Sequence, residues 1–364
     1  MNRRDFVKAG AALAGACATG RLPIQKSAST LPPVIVSEER VIRTVAGLRP
    51  YRLSGFALRG ESLDGKLLIH NYGHGGCGVT LSWGTGKLAL EIALAQPQRR
   101  AAVLGCGAVG LAAARLLQDH GFDVTIYARE LPPDTTSNMA GALWAPITIA
   151  ERDRHTAEFD AQLAASSRFA YRYFQLLVGD RYGVSWVPLF FLDTKREFPL
   201  PWFWSIAPEM YRYETLGPGE HPFSSPFVHR TYTMLIEPSI YLAAVLSDFH
   251  VAGGKVVIRE FHTLGDVVQL DEPVVVNCTG LGAKALVGDE EVLPIKGQTT
   301  FLLPQPEVKY ATVSNTEDLY MFSRRDGVLL GGSHEKNVWT LESNEAEERR
   351  IIAGNRKIFS SMNS

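Results

Sequence analysis

The chain has 364 residues, with 37 Lys and Arg, 38 Asp and Glu, and a formal net charge of −1. This balance excludes the basic footprint of a nucleic-acid-binding protein. Hydrophobic residues make up 46% and charged residues 21% of the sequence, which excludes a disordered chain, a polytopic membrane protein and a single small module. The four cysteines, Cys17, Cys77, Cys106 and Cys278, form no CxxC pair, so we expect neither a disulfide scaffold nor a metal site.

The start of the chain has the features of an export signal. Arg3 and Arg4 precede small residues from 9 to 20, a stretch too short and too weakly apolar for a stable membrane span. The pattern resembles the twin-arginine signal, whose pathway carries folded proteins. We expect residues 1–34 to be signal and tether, and the bacterial twin-arginine machinery to export the protein to the periplasm or the cell exterior. Cleavage of the signal and its retention as a membrane anchor both stay open.

A βαβ unit is predicted in the middle of the chain. A buried strand, a glycine-rich turn, an amphipathic helix and a second strand follow one another at residues 101–104, 105–110, 111–118 and 123–128. The glycines allow a tight turn, so that the helix N-terminus can bind a pyrophosphate. Glu130, next to Arg129, stands where an acid reaches the ribose hydroxyls. The unit predicts a dinucleotide cofactor and leaves NAD and FAD open.

A second glycine-rich turn precedes this unit. A strand at 67–72 leads through glycines at 73–78 into a helix that runs to about residue 95. A strand, a glycine turn and a helix start together favour binding of negative charge. Beside a flavin, such a helix start would stabilise the charge that collects on the reduced ring.

The remaining segments predict the rest of the fold. A helix over 240–252 and strands at 255–259 and 274–277 belong to the same sheet as the βαβ unit. Residues 150–230 are rich in aromatic residues and proline and suit a substrate-facing domain. Strands alternate with turns over 298–340, and 344–359 is a charged helix. The predicted fold class is α/β, with a Rossmann-like domain and a mostly antiparallel β-sheet domain.

Several motifs together resemble the D-amino-acid oxidase family of FAD enzymes. Besides the two glycine turns, they are the segments 47–50, 134–146, 276–280, 296–298 and 319–332. The resemblance covers nearly all of the chain after the signal. It implies FAD as the cofactor, a Rossmann-like FAD-binding domain and a substrate domain.

The order of the motifs differs from that of the family. Segments 47–50 and 70–80 resemble the motifs that normally close the family's chain, yet here they come first. Each motif occurs once, so the sequence resembles a circular permutation with new ends at the surface. The implied organisation is a permuted family C-terminal part at 35–95, an FAD domain in two parts at 96–149 and 236–300, and a substrate domain in two parts at 150–235 and 301–364.

The resemblance also implies the site residues. Arg49 matches the family's carboxylate-binding arginine, Tyr320 matches a tyrosine that meets the same carboxylate, and Gly76 matches the position where a backbone carbonyl holds the amine. A guanidinium suits this role because it stays charged and pairs with a carboxylate in bidentate fashion. The implied cofactor contacts are Gly75, Gly76, Cys77, Gly78, Val79, Thr80, Gly105, Gly107, Ala108, Val109, Gly110, Arg129, Glu130, Thr135, Thr136, Ser137, Gly141, Ala142, Leu143, Phe261, Thr279 and Gly280.

Some family features are missing. Thr316 stands where some members have a lid tyrosine, and Ala145 stands where some have a glutamine. The segment 304–320 is short for a large lid, and Tyr310 is a candidate substitute for the lid tyrosine. We interpret His74 as structural because its neighbours in the turn are backbone-shaping glycines. The cysteines beside the turns are interpreted as small buried residues.

The implied reaction is oxidation of a D-amino acid. The α-hydrogen moves as hydride to flavin N5 without an obligatory side-chain base, and oxygen reoxidises the flavin to give hydrogen peroxide. The imino acid then hydrolyses to a 2-oxo acid and ammonia. An oxidase or dehydrogenase for glycine, sarcosine or another secondary amine is the alternative enzyme, and a flavin-binding protein without turnover is a third reading. A homodimer is left open.

Overall fold

The structure, a computed structural model, describes residues 31–198 and 200–362. Residues 1–30 of the predicted signal and tether, Cys17 among them, lie outside these residues. Within the described ranges, no helix is long and apolar enough to cross a membrane.

The first of two sheets, here called the parallel sheet, has six strands in the described part of the chain. In spatial order they are β2 (Ala57–Leu63), β3 (Lys66–Tyr72), β10 (Val274–Asn277), β4 (Arg100–Leu104), β5 (Asp123–Ala128) and β9 (Lys255–Ile258). All neighbouring pairs are parallel except β2 with β3. The central strand β10 begins with three consecutive valines, a pattern that suits a strand with both faces buried under helices.

Helices cover both faces of the parallel sheet. One face carries α1 (Gly78–Leu94), α2 (Ala108–Asp119), α3 (Ala157–Leu176) and α5 (Pro238–Val251). The other face carries the short helices α6 (Leu264–Val268) and α7 (Ala283–Val287). The arrangement places the N-termini of α1 and α2 at the carboxyl ends of β3 and β4, where open α/β sheets bind ligands.

The second sheet, here called the large sheet, has nine described strands and is mostly antiparallel. Its order is β1 (Val41–Arg52), β11 (Val292–Leu302), β14 (Gly327–Gly331), β13 (Leu319–Arg324), β12 (Ala311–Ser314), β6 (Val184–Asp193), β8 (Phe227–Ile236) and β7 (Tyr213–Leu216), and β15 (Glu335–Lys336) also pairs with β11. Only the β12–β6 pair among these ladders is parallel. Helix α8 (Glu345–Ser360) packs on one face. The opposite face is here called the inner face, and it carries a separate apolar cluster.

Short elements complete the described chain. They are helix α4 (Trp202–Ile206) and the 3-10 turns Glu38–Arg40, Gly75–Cys77, Thr136–Met139, Pro208–Met210 and Gly280–Gly282. The predicted fold class, α/β with a mostly antiparallel second domain, is confirmed.

The observed packing differs from the predicted segments in two places. Strand β11 lies wholly in the large sheet, so the boundary predicted at residue 300 falls inside a strand. Helix α3, from the predicted substrate segment, packs against α1 of the parallel sheet. A Cβ at Gly84 of α1 would lie 2.0 Å from the backbone oxygen of Ser166, so the glycine permits this close approach.

The two ends of the described chain meet on the outer side of the large sheet. The hydroxyl of Tyr310 donates a hydrogen bond to the Pro32 backbone oxygen at 2.8 Å and lies 3.9 Å from Met362 Sδ. Arg356 of α8 donates to the backbone oxygen of Val36. Tyr310 is 1% exposed and belongs to the cluster under α8. The suggestion that Tyr310 replaces a lid tyrosine is therefore wrong, because its side chain is committed to the opposite face of the sheet.

Candidate functional site

The first glycine turn, residues 105–110, joins β4 to α2 and is closed by backbone contacts. Gly105 has φ +107°, and its N–H donates to the Tyr127 oxygen at 2.7 Å. A Cβ at Gly105 would lie 2.5 Å from the Cys278 oxygen, and one at Gly110 would lie 2.0 Å from the Gly105 oxygen. Side chains at these two positions would therefore force the turn open.

The N-terminus of α2 presents its amide groups to an oxygen acceptor. The N–H of Ala108 donates to Ser137 Oγ at 3.0 Å, and a Cβ at Gly107 would lie 2.9 Å from the same atom. The amides of a first helical turn, here including those of Val109 and Gly110, lack partners within the helix. With the positive end of the helix dipole, they suit a phosphate group.

The segment that contains Ser137 crosses from this turn to the inner face of the large sheet. Thr135 is buried and its hydroxyl bonds Asn138 at 2.8 Å, while Thr136 and Ser137 lie on the 3-10 turn. A Cβ at Gly141 would lie 2.9 Å from the Phe322 ring. Beyond it, Ala142 has φ +54° and Leu143 forms a bridge to β8. The predicted second FAD-binding segment thus joins the two sheets.

Residues at the ends of β5, β9 and β10 surround the first glycine turn. Arg129 pairs with Glu130 at 3.2 Å and with Glu260 at 3.1 Å, and all three side chains are exposed. Phe261 is partly buried and meets Tyr127 edge-on at 5.9 Å. After β10, Thr279 Oγ1 bonds Asn277 Oδ1 at 2.7 Å, and Gly280 has φ +60° beside Pro50.

The second glycine turn, residues 73–78, joins β3 to α1 and is packed on one side only. Gly75 has φ +56°, and a Cβ there would lie 2.2 Å from the Thr148 oxygen, to which the N–H of Gly76 donates at 3.1 Å. Thr80 Oγ1 donates to the Ala145 oxygen at 3.3 Å. Gly76 is exposed, and nothing lies nearer than 4.0 Å to a Cβ built at Gly78. The turn therefore offers bare backbone on its free side, which suits a flat ring stacked against it.

The polar side chains within these turns are not free for acid–base chemistry. His74 is 2% exposed, and its Nε2 bonds Thr85 Oγ1 at 2.9 Å. Burial lowers the pKa of His74 to about 3, so the ring is neutral at physiological pH. Cys77 and Cys106 are buried, as predicted, and Cys278 is partly buried. Burial raises the pKa of all three above the ordinary thiol value, which keeps the thiols unreactive.

Arg49 of β1 and Tyr320 of β13 meet on the inner face of the large sheet. The guanidinium lies over Gly297, where a Cβ would be 2.2 Å from Arg49 Nη2, and the Tyr320 hydroxyl lies over Gly331, where a Cβ would be 2.3 Å from it. The Arg49 guanidinium lies next to the Tyr320 hydroxyl. Burial raises the pKa of Tyr320, and the guanidinium offsets part of that rise.

The second glycine turn reaches this pair. A Cβ at Gly76 would lie 3.8 Å from Arg49 Cδ. Tyr51 of β1 and His74 of the turn also form an isolated antiparallel β-bridge. Arg49 Nη1 also donates to the Ser333 oxygen at 3.2 Å. The structure therefore brings together Arg49, Tyr320 and Gly76, whose positions are far apart in the sequence.

The rim beside Tyr320 is short and charged. Strands β12 and β13 pair up to Ser314 and Leu319, so only residues 315–318 connect them, and Thr316 is exposed on this connection. His334 Nδ1 lies 3.2 Å from Asp318 Oδ2. Burial would raise the pKa of Asp318, but the His334 bond and nearby arginines outweigh it and leave the pKa below its ordinary value. No long lid stands over the pair in the described residues.

Several residues of this face are not predicted from the sequence. Gly297 and Gly331 make room for Arg49 and Tyr320, and Ser333 holds the guanidinium through its backbone. Both glycines lie in segments that resemble the family, at 296–298 and 319–332. Their role depends on which strands are neighbours in the sheet, and one strand's spacing does not contain that information.

Comparisons with known proteins show the family of the chain. A model of the DAO family, described as FAD dependent oxidoreductase, matches residues 16–92 and 100–363. The D-amino-acid oxidase of Rubrobacter xylanophilus is 32% identical, over 70% of this chain and 75% of its own length. The human D-aspartate oxidase is 27% identical, over 70% of this chain and 74% of its own length.

A solved structure supports the fold. The crystal structure of glycine oxidase from Bacillus cereus matches with a TM-score of 0.54 and 13% identity, over 73% of this chain and 81% of the other. The second glycine turn, with bare backbone on its free side, and the N-terminus of α2, whose amides lack partners within the helix, fit FAD. The chain belongs to the DAO family of FAD-dependent oxidoreductases.

Proposed function

We propose that this protein oxidises D-amino acids to imino acids, which water converts to 2-oxo acids and ammonia, with O2 reduced to hydrogen peroxide. The observation that carries the proposal is the meeting of Arg49, Tyr320 and Gly76 at the free side of the second glycine turn. A cation, a phenol and an exposed backbone turn are the groups that an amino acid's carboxylate and amine need. The relatives named for D-amino-acid and D-aspartate oxidation support it.

Each group has a role in orienting the substrate. Arg49 and Tyr320 bind the carboxylate by charge-assisted hydrogen bonds, and the Gly76 carbonyl oxygen accepts a hydrogen bond from the amine. FAD, when bound, supplies the acceptor for the hydride that leaves the α-carbon. The neutral, buried His74 takes no part in proton transfer. Orientation at three points therefore supplies most of the protein's contribution to the rate.

The residues that would hold FAD are those around the two turns. The amides of Ala108, Val109 and Gly110 would hold the pyrophosphate, and Glu130 the ribose hydroxyls. The backbone of 75–78, with the start of α1, would lie against the flavin ring. The other predicted contacts are Gly105, Gly107, Arg129, Thr135, Thr136, Ser137, Gly141, Ala142, Leu143, Phe261, Thr279, Gly280, Val79 and Thr80.

The first test is anaerobic mixing of the holoenzyme with D- and L-amino acids, glycine and sarcosine, followed by flavin absorbance. Bleaching by D-amino acids alone supports the proposal. Bleaching by glycine or sarcosine alone favours the alternative, an amine oxidase or dehydrogenase. A yellow protein that none of them bleaches supports the third reading, a flavin-binding protein without turnover.

Variants then test the two side chains. Arg49→Ala should lower kcat/KM for a D-amino acid by at least about 100-fold, because it removes a charge-assisted pair worth about 3 kcal/mol. Tyr320→Phe should lower it about 10-fold. Arg59→Ala and Tyr232→Phe are matched controls, since Arg59 lies on β2 and Tyr232 is 59% exposed on β8. Equal losses in test and control variants would contradict the assigned roles.

We propose further that the protein is a circular permutant of its family. The family model matches in two separate segments, split between residues 92 and 100. The meeting of Pro32 and Met362 at Tyr310 supports the idea, because a short linker could join the two ends. A rearranged gene that starts near residue 97, joins 362 to 34 through a short linker and stops near 96 should yield a folded FAD protein. An insoluble product beside a soluble native chain would count against permutation.

Export by the twin-arginine route is a proposal that rests on the first residues. Arg3 and Arg4 precede a small-residue stretch, and folded export suits a protein loaded with a cofactor. Replacing both with lysine should leave the full-length protein in the cytoplasm of a twin-arginine-competent host.

Light scattering of the exported protein would test the homodimer, which stays a prediction.

A further inference from the structure

The hydroxyl of Thr299 is a buried polar group without a hydrogen-bond partner on the inner face of the large sheet. The residue is 4% exposed, and Oγ1 contacts no donor or acceptor. A buried hydroxyl that forms no hydrogen bond destabilises the folded chain, because it has lost its contact with water and gained no partner. Valine would fill the same volume in the strand without that cost, so the hydroxyl calls for a functional explanation.

The register of the strands places Thr299 beside the Arg49–Tyr320 pair. Thr299 stands opposite Gly331 across the β11–β14 ladder, and Gly331 stands opposite Tyr320 across the β13–β14 ladder. Side chains of directly paired residues share one face of a sheet. On its own strand, Thr299 is two residues from Gly297, over which the guanidinium lies, and alternate residues also share a face.

The two hydroxyl groups are neighbours on this face of the sheet. The Tyr320 hydroxyl would be 2.3 Å from a Cβ built at Gly331, and the Cβ atoms of paired residues are about 5 Å apart. Because Gly331 has no side chain, nothing on β14 separates Thr299 from the phenol. A hydrogen bond between the two hydroxyl groups requires a change of the Thr299 rotamer and a shift of the Tyr320 ring.

We propose that Thr299 is a positioning residue of the substrate site, whose hydroxyl donates to the Tyr320 oxygen when the site is occupied. A phenol oxygen can accept two hydrogen bonds and donate one. With Arg49 and Thr299 as the two donors, the phenol's only proton points at the substrate carboxylate. The inference rests on the proposed function, since it gives Tyr320 a carboxylate to bind.

The experiment compares Thr299→Val with Thr299→Ser and with Thr300→Val. Thr300 is the next residue of β11 and faces the other way, where its hydroxyl bonds Thr44 at 3.2 Å, so it is a matched control for loss of a buried hydroxyl. The first readout is the dissociation constant of propanoate, a carboxylate without an amine, measured by perturbation of the flavin spectrum. The second is the KM and kcat of a D-amino acid that the native enzyme oxidises.

We expect Thr299→Val to weaken propanoate binding and raise KM by about 10-fold, the factor that corresponds to one hydrogen bond to a charged group, with little change in kcat. Thr299→Ser should restore native values, and Thr300→Val should leave them unchanged. In a Tyr320→Phe background, Thr299→Val should have no further effect, because it acts through the phenol.

Two results would overturn the role of Thr299. Both can be told apart from the result that would overturn the proposed function. Native binding in Thr299→Val, or a full extra loss in the Tyr320→Phe background, would sink the role of Thr299 and leave the oxidase intact. A native holoenzyme that binds no propanoate and oxidises no D-amino acid would remove the proposed function, and the role of Thr299 with it.

Discussion

The two sides of the candidate site are built in different ways. On the cofactor side, the two glycine turns present backbone atoms, and Gly75, Gly105 and Gly110 are needed because another backbone atom of the fold lies where the side chain would be. On the substrate side, Gly297 and Gly331 are needed because side chains from other strands lie over them. Substitutions on the first side should therefore damage the fold and FAD binding, and substitutions on the second should damage substrate binding alone.

The largest effect is expected at Gly110, on the cofactor side. In Gly110→Ala the new Cβ would lie 2.0 Å from the Gly105 oxygen, so the turn must open and the amides of α2 lose their alignment. We expect the purified variant to contain less than about a tenth of the native FAD, by absorbance after denaturation, because the loss of several amide contacts costs more than 1.4 kcal/mol.

Gly217→Ala is the matched control for this change. A Cβ at Gly217 lies 3.7 Å from the nearest atom, Glu220 Oε2, and the backbone there is not left-handed. Native FAD content in Gly110→Ala would show that the first glycine turn does not hold the cofactor.

On the substrate side, Gly331→Ala should separate the two functions. Its Cβ would lie 2.2 Å from Tyr320 Cζ, and the ring has to move because the strand cannot. We expect native FAD content with a KM for a D-amino acid raised about 10- to 100-fold, the cost of losing one or two hydrogen bonds to a carboxylate. Loss of FAD from this variant would break the contrast between the two sides.

The same contrast decides what the sequence can predict. The turns at 73–78 and 105–110 are predictable because their glycines recur at short spacings between a strand and a helix, and Gly73, Gly75 and Gly105 have the left-handed backbone that favours glycine. The resemblance named Arg49 and Tyr320, yet Gly297, Gly331 and Thr299 acquire their roles from strand register between β1, β11, β14 and β13. Helix α3 was missed because its segment has the aromatic composition of a substrate domain, while its buried face packs on α1.

The pH dependence of stability gives a further test of the second glycine turn. Burial lowers the pKa of His74 from 6.5 to about 3. The unfolded chain therefore binds this proton first, so the stability that the neutral ring contributes is complete above about pH 6.5 and is lost as the pH falls toward 3. The free energy of unfolding should decrease by about 1.4 kcal/mol per pH unit from this residue alone.

His74→Asn tests whether His74 stays neutral in the folded state, through the pH dependence of the free energy of unfolding. Asparagine keeps a polar partner for Thr85 and does not titrate, although it loses the contact of the ring with Phe56. The free energy of unfolding, measured with urea between pH 6 and 4, should change less steeply with pH than in the native protein. The difference in slope corresponds to about one proton. His250→Asn, an exposed histidine at the end of α5, is the control. Equal slopes in all three proteins would mean that His74 is protonated in the folded state.

The smallest effect concerns the meeting of the chain ends, outside both sides of the site. Tyr310→Phe removes the hydrogen bond to the Pro32 oxygen and keeps the ring packed under α8. We expect a loss of about 1 kcal/mol, seen as a Tm lower by about 2 °C, with FAD content and KM unchanged because the hydroxyl lies on the opposite face from Arg49. Tyr232→Phe, an exposed tyrosine, should leave the Tm unchanged. A changed KM in Tyr310→Phe would mean that the packing of the chain ends under α8 is coupled through the large sheet to the substrate side on its inner face.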